Sequence, residues 1–268
     1  MADHIIFSTT GANTNNYVNV HEIVEQATRN NVDAVCTVCS FASENPQLPE
    51  ELNKRNIVFI GPPSKALFAL SDKIASTIIA QTVKIPTIAW SGSGLIIEST
   101  GEGKEKGGGG NESEISKELY LKACISTAEE GLLSMKEKNI TYPVMIKSSK
   151  GCNGKGTRKC ISDEEFCLNF TSVKEEVPEA PIFLMKFMVD ARNIEVQLIG
   201  DHYGKVIPIF TRVCSIEGSF QKTIKGTPEC MVPPEIKCQM QMDAVTLAKK
   251  IGYVSAGTVE VFYFFSFL

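Results

Sequence analysis

An apolar run that ends in a lysine and passes directly into a glycine-spaced basic loop dominates this chain: Tyr142-Pro143-Val144-Met145-Ile146-Lys147-Ser148-Ser149-Lys150-Gly151-Cys152-Asn153-Gly154-Lys155-Gly156. Val144 to Ile146 read as a buried strand, and Lys147 leaves it as a point charge. Gly151, Gly154 and Gly156 permit positive φ and close backbone approach, so successive N–H groups can converge on an anion. The pattern is not a Walker A loop, because no Gly-Lys-Ser/Thr opens a helix at the required spacing. Taken alone, it fits an ordinary glycine-rich hairpin as well as a phosphate loop.

The first third of the chain alternates helical and strand patterns, which predicts a parallel α/β layer. His21 to Asn30 and Leu48 to Asn53 read as helices; Ala34 to Cys39 and Ile57 to Ile60 read as strands. A helical run continues through Ala80, with Ser71-Asp72 placed to interrupt or restart it. Residues 97–116 contain Gly101-Glu102-Gly103-Lys104-Glu105-Lys106 followed by four glycines. Such a segment buries too little apolar surface to offset the entropy of ordering, and it reads as a flexible loop. A helix is predicted from Ser116 to Lys138, with Leu119, Ala123, Leu132 and Leu133 as candidate core. After the Val144 strand, a small α/β unit runs to about Phe187. From Ile194 the pattern turns β-rich: Ile194 to Ile199, a turn at Asp201-His202-Tyr203-Gly204, then Lys205 to Phe210. A helix from Gln239 to Lys250 and a strand from Thr258 to Phe267 complete the expectation. The predicted division is 1–96, a loop at 97–116, 117–187 and 188–268.

Net charge is −4 with 22% charged residues, so no nucleic-acid footprint is present. No apolar run approaches the length of a membrane span. Asp3 and His4 at the start are unlike a secretory signal. Nine cysteines are many, but only Cys36-Thr37-Val38-Cys39 has metal-like spacing and no second pair completes a site. Buried strand cysteines in a reducing cytoplasm are the expectation.

Other segments set the glycine loop in context. Gly61-Pro62-Pro63-Ser64 precedes Ala69-Leu70-Ser71-Asp72-Lys73-Ile74-Ala75-Ser76, then Gln81-Thr82 and Ile85-Pro86-Thr87. Arg192-Asn193-Ile194-Glu195-Val196-Gln197, Arg212-Val213-Cys214-Ser215, Gln221-Lys222 and Gly252-Tyr253-Val254-Ser255-Ala256-Gly257-Thr258-Val259-Glu260 follow. In this order the chain resembles the biotin carboxylase region of eukaryotic acetyl-CoA carboxylase, an ATP-grasp enzyme, from about Met1 to Glu260. Ala42-Ser43-Glu44-Asn45-Pro46 and Trp90-Ser91-Gly92-Ser93-Gly94-Leu95 point to that branch rather than to other biotin carboxylases or carbamoyl-phosphate-type ligases.

The resemblance implies an α/β fold: a partial Rossmann-like pre-ATP-grasp domain followed by a truncated ATP-grasp fold. It implies ATP with Mg²⁺ or Mn²⁺, bicarbonate as substrate, and biotin presented by a separate carrier domain, in the carboxylation that leads to malonyl-CoA and fatty acids. Lys73 and Lys147 match the two lysines that contact ATP phosphates. Gly151, Gly154, Lys155 and Gly156 match parts of the loop that closes over them. Met185, Lys186 and Phe187 fall on the hinge whose backbone meets adenine. Glu260 matches the first of two metal-holding carboxylates, and Lys222 the lysine associated with bicarbonate.

The chain also departs from the family. Cys152 and Asn153 interrupt the run of glycines. The family's Arg-His-hydrophobic-Glu reads Arg192-Asn193-Ile194-Glu195, and its Gln-Arg-Arg-His-Gln-Lys reads Glu217-Gly218-Ser219-Phe220-Gln221-Lys222. The family continues past Glu260 into Glu-Leu-Asn-Pro-Arg-Leu-Gln-Val-Glu-His, which carries the second metal carboxylate, the catalytic arginine and the general base. Charge-assisted contacts contribute about 1.5–3 kcal/mol each, so losing several weakens ATP binding by orders of magnitude. The expectation is a cytoplasmic biotin carboxylase-like fragment with impaired carboxylation. The alternative is a non-catalytic ATP-binding pseudoenzyme, or one that associates with a full-length carboxylase.

Overall fold

A computed structural model of the chain describes residues 3–7, 17–37, 41–98, 115–150, 155–218, 221–226 and 232–264. Three sheets organise them, each with its own apolar core. In the first unit, helix α1 (Val20–Arg29) starts at Asn19, whose side chain accepts from the Glu22 amide. It buries Val24 and Ala27 against Leu48 and Leu52 of α2 (Gln47–Asn53). Strands β1 (Ala34–Val35) and β2 (Val58–Phe59) pair in parallel beside them.

Helices α3 (Ser64–Leu70) and α4 (Lys73–Thr82) meet at Ser71-Asp72. Asp72 leaves helical geometry (φ −116°, ψ 124°), and its carboxylate accepts from the Ile74 and Ala75 amides, so α4 begins at Lys73. Ile74 and Ile78 are buried with Trp90, Ala123 and Phe183. The Trp90 ring meets Phe183 edge-on, and its indole N–H donates to Gln81 Oε1 over 3.0 Å. A buried indole needs such an acceptor.

The second sheet runs β4-β3-β5, antiparallel throughout: β3 (Val144–Ser148), β4 (Thr157–Cys160) and β5 (Ile182–Lys186). Helices α5 (Lys117–Leu121), α6 (Ala128–Glu137) and α7 (Asp163–Glu176) accompany it. Val144, Ile146, Cys160, Phe166, Phe170, Val173 and Leu184 form its core.

The third sheet has the order β8-β7-β6-β9, also antiparallel, from β6 (Ala191–Gly200), β7 (Val206–Gly218), β8 (Gln221–Gly226) and β9 (Ser255–Phe264). Helix α8 (Pro234–Lys250) covers one face, where Ile194, Val196 and Leu198 pack on Met240, Ala244 and Ala248. Strand alternation therefore turns Asn193, Glu195 and Gln197 to the opposite face.

The helix expected from Ser116 to Lys138 is two helices. Ile125 leaves the helical path to bridge Ile182, its amide donating to the Ile182 carbonyl over 2.8 Å, and Thr127 then caps α6. In consequence Leu133 is 56% exposed rather than part of the core. Helix α8 starts five residues earlier than expected, with Pro234 in its first turn, where a missing N–H costs nothing. Strand β7 runs well past Phe210 and pairs antiparallel with β8, a pairing that the sequence does not announce. Val38, Cys39, the 99–114 segment and the last four residues lie outside the described residues.

Candidate nucleotide site

The end of β3 is the junction of the site. Lys147 alternates onto the strand face of Met145, opposite the Val144, Ile146 and Ser148 face, and its register partners are Phe183 and Thr157. Phe183 packs with Ile74 of α4, so Lys147 shares the side of the sheet on which α4 lies. Helix α4 docks at the next two residues. The Lys73 amide donates to the Ser149 carbonyl over 3.4 Å, and the Lys73 ammonium donates to the Ser148 carbonyl over 3.3 Å. The two lysines matched to phosphate contacts thus meet one strand end.

Ser148 is fully buried and its hydroxyl has no hydrogen-bond partner. A buried unsatisfied hydroxyl is uncommon; this one lies on the Val144 and Ile146 face of the strand, next to Gly156. Asp72 is held on its other side: the Tyr120 hydroxyl donates to Asp72 Oδ2 over 2.6 Å. Burial, reinforced by the Asp72 carboxylate, pushes the Tyr120 phenol well above its ordinary range. Burial, together with Asp72 and Glu130, likewise raises the Cys124 thiol to about 11.

Of the loop residues, Gly151 and Gly154 lie outside the described residues, as do Cys152 and Asn153. Lys155 is exposed in a turn. Gly156 has φ +64°, and a Cβ there would stand 2.7 Å from Ser148 Cβ and 2.8 Å from Val177 Cγ2. Its amide donates to Glu176 Oε2, which also pairs with Arg158 at 2.9 Å. Gly156 is therefore a packing glycine at the base of the loop, with its N–H already committed to a carboxylate.

In the hinge, Met185 bridges Trp90 across an isolated ladder step. The Lys186 amide donates to the Ala89 carbonyl and the Phe187 amide to the Pro143 carbonyl. The Lys186 ammonium is tied down as well, donating to both the Thr141 and Tyr142 carbonyls over 2.8 Å. It serves the turn before β3 rather than a ligand.

Glu260 lies on β9 directly opposite Glu195 on β6, and Glu195 lies opposite Arg212 on β7. The Glu195 side chain is 4% exposed and pairs with Arg212 at 3.0 Å. Arg212 also reaches Gln197 at 3.1 Å and Thr258 at 3.4 Å. Glu260 itself is exposed on this face, the one that α8 does not cover. Lys222 lies on β8 in register with Glu217. A cavity of about 200 Å³ has Leu70, Leu198, Leu247 and Tyr253 among its walls and Thr258 and Glu260 at its polar part. It is too apolar to take phosphates, but it sets the end of α3, three residues before Lys73, beside the Glu260 strand.

Residues 115–265 match the family model described as carbamoyl-phosphate synthase L chain, ATP binding domain. The chain belongs to this family. Residues 1–67 match the biotin carboxylase N-terminal domain as well. This biotin carboxylase-like chain is 45% identical to the acetyl-CoA carboxylase dmxL1 of Cryptosporiopsis sp. (strain 8999), over 98% of its length and 11% of that protein's. It is also 45% identical to the acetyl-CoA carboxylase of Saccharomyces cerevisiae, over 98% of its length and 12% of the relative's. It therefore spans about a ninth of the curated relatives it matches. Among solved structures, the biotin carboxylase of Campylobacter jejuni in complex with βγ-ATP superposes with a TM-score of 0.76 at 28% identity, over 92% of this chain and 49% of that one. The biotin carboxylase domain of the Hydrogenobacter thermophilus 2-oxoglutarate carboxylase, with MgADP, ADP and bicarbonate, gives 0.77 at 29% identity, over 94% and 50%. The fold is that of a biotin carboxylase, and the expected ancestry holds.

The sequence reading missed Tyr120 and the Glu195–Arg212 pair. Tyr120 lies 48 residues from Asp72, and no local pattern joins them. Glu195 and Arg212 both stand in motifs that carry the resemblance, and the alternation of Glu195 with Ile194 and Val196 signals a buried charge, but no local pattern pairs the two.

Proposed function

We propose that this chain is a biotin carboxylase-like module that binds Mg-ATP at the end of β3, with an impaired capacity to carboxylate biotin. The observation that carries the reading is the 3.3 Å contact of the Lys73 ammonium at the end of the Lys147 strand. Two cations that meet at one strand end fit a phosphate chain. Lys73 and Lys147 hold the phosphates, Met185, Lys186 and Phe187 border the adenine, and Glu260 offers a carboxylate to the metal. Mg²⁺ commonly takes one or two carboxylates and completes its shell with phosphate oxygens and water; Mn²⁺ suits the same oxygens. When bound, the metal neutralises phosphate charge, and the chain's own residues orient the nucleotide.

Impairment follows from the substitutions. Asn193, buried on the polar face of the third sheet, stands where the resemblance places a histidine. Glu217, Gly218, Ser219 and Phe220 stand where it places Gln-Arg-Arg-His, so an acid replaces a neutral amide and two arginines and a histidine are lost from the segment before Lys222. Bicarbonate and carrier-borne biotin remain the substrates of the ancestral reaction. Calorimetric titration with Mg-ATP, run beside incorporation of labelled bicarbonate into free biotin, tests the reading. Saturable Mg-ATP binding without incorporation is expected. Absence of Mg-ATP binding at millimolar nucleotide, or incorporation above the protein-free rate, contradicts it.

A further inference from the structure

Three elements distant in sequence fix the start of α4. Asp72 Oδ1 accepts from the Ile74 and Ala75 amides at 2.9 and 3.0 Å, which defines the first turn. Asp72 Oδ2 accepts from the Tyr120 hydroxyl at 2.6 Å. On the far side, Lys73 reaches the Ser148 and Ser149 carbonyls. Asp72 therefore cannot rotate without releasing either the cap or Tyr120, and Lys73 is the next residue in the chain. The Tyr120 ring packs against the cluster of Ile74, Trp90, Ala123 and Phe183, so its hydroxyl is delivered from a fixed base.

We propose that Tyr120 is a positioning residue for Lys73: by holding the Asp72 carboxylate in its capping orientation, it sets the first turn of α4 and so aims the Lys73 ammonium at the end of β3, where phosphates bind. The proposal rests on the Mg-ATP reading of this site. Tyr120 touches no ligand and reaches Lys73 through Asp72. Removing the hydroxyl frees one carboxylate oxygen, lets the cap loosen and lets the ammonium wander, while the aromatic packing stays in place.

The test compares Tyr120→Phe, Lys73→Met and the double variant with wild type, using Mg-ATP and adenosine as separate calorimetric probes. Adenosine lacks phosphates, so a merely structural disturbance weakens both probes, whereas a positioning defect weakens Mg-ATP alone. Tyr120→Phe is expected to weaken Mg-ATP by about five- to tenfold, less than the full loss of a hydrogen bond to a charged group because the effect is passed on through Asp72, with adenosine unchanged. The double variant is expected to bind Mg-ATP no more weakly than Lys73→Met. Parallel losses for both probes, unchanged Mg-ATP binding, or multiplicative effects in the double variant overturn the proposal. A wild-type chain without Mg-ATP affinity overturns the functional reading instead. Exchange of the Ile74 and Ala75 amides then decides whether Tyr120 orders the start of α4: faster exchange in Tyr120→Phe supports that ordering, and unchanged exchange overturns it.

Discussion

The ammonium of Lys73 donates to the carbonyl of Ser148 over 3.3 Å, across 75 residues of sequence. This contact joins the first turn of α4 to the last residue of β3, and with it the two lysines that the sequence singled out. Lys73 is a solvated helix lysine by type and a strand-end lysine by position. The cap at Asp72 makes the difference, because it starts the helix where its first side chain meets β3.

Lys73→Met is expected to weaken Mg-ATP binding by about ten- to a hundredfold, the range for a charge-assisted contact. Its midpoint in urea is expected to move little, since the retained Asp72 cap still closes the helix. Paired calorimetry and urea titrations check both. A large loss of stability with unaltered affinity would make the lysine structural.

Lys186 behaves differently despite its place in the hinge. Its ammonium bonds the Thr141 and Tyr142 carbonyls. Lys186→Met is therefore expected to cost about 1–3 kcal/mol in urea unfolding and to leave Mg-ATP affinity within about threefold once the folded fraction is accounted for.

Arg212→Met leaves Glu195 buried without its cation, and breaking a buried pair from one side costs about 3–5 kcal/mol. The double variant Glu195→Gln with Arg212→Met is expected to recover part of that loss. Urea midpoints for the three variants measure it; equal losses in the single and double variants contradict the pairing.

Alkaline pH is expected to destabilise the chain. Burial, with Asp72 and Glu130, holds the Cys124 thiol near 11, above its ordinary 9.0, and burial with Asp72 raises the Tyr120 phenol further. Between about pH 9 and 11 the unfolded chain releases the thiol proton while the folded chain keeps it. The unfolded state then binds fewer protons, so stability falls as pH rises. Thermal midpoints across pH 8–11 check this, and Cys124→Ala is expected to shallow the decline.

Much of the fold was legible because its signals are local. Helix α2, the alternating β6 and the interruption at Ser71-Asp72 all follow from short patterns of apolar spacing and capping residues. The break between α5 and α6 was not legible, because Ile125 leaves the helix only to pair with Ile182, a tertiary contact that overrides a continuous helical pattern. Within the site, Lys73 and Lys147 were named from the sequence, while their meeting at Ser148 depends on how α4 crosses the sheet. Gly156 matches part of the loop that closes over phosphates, and a Cβ there would also collide with Ser148 and Val177. A glycine's need for space does not disclose which neighbour takes it. Tyr120 carried no signal, since its partner is fixed by packing alone.

Hydrogen–deuterium exchange with and without Mg-ATP tests the central claim most directly. Protection is expected at the start of α4, at Lys147 to Ser149 and around Glu260 on β9, with the far end of α8 unchanged. Protection confined to other segments, or none at saturating nucleotide, would contradict the placement of Mg-ATP at the end of β3.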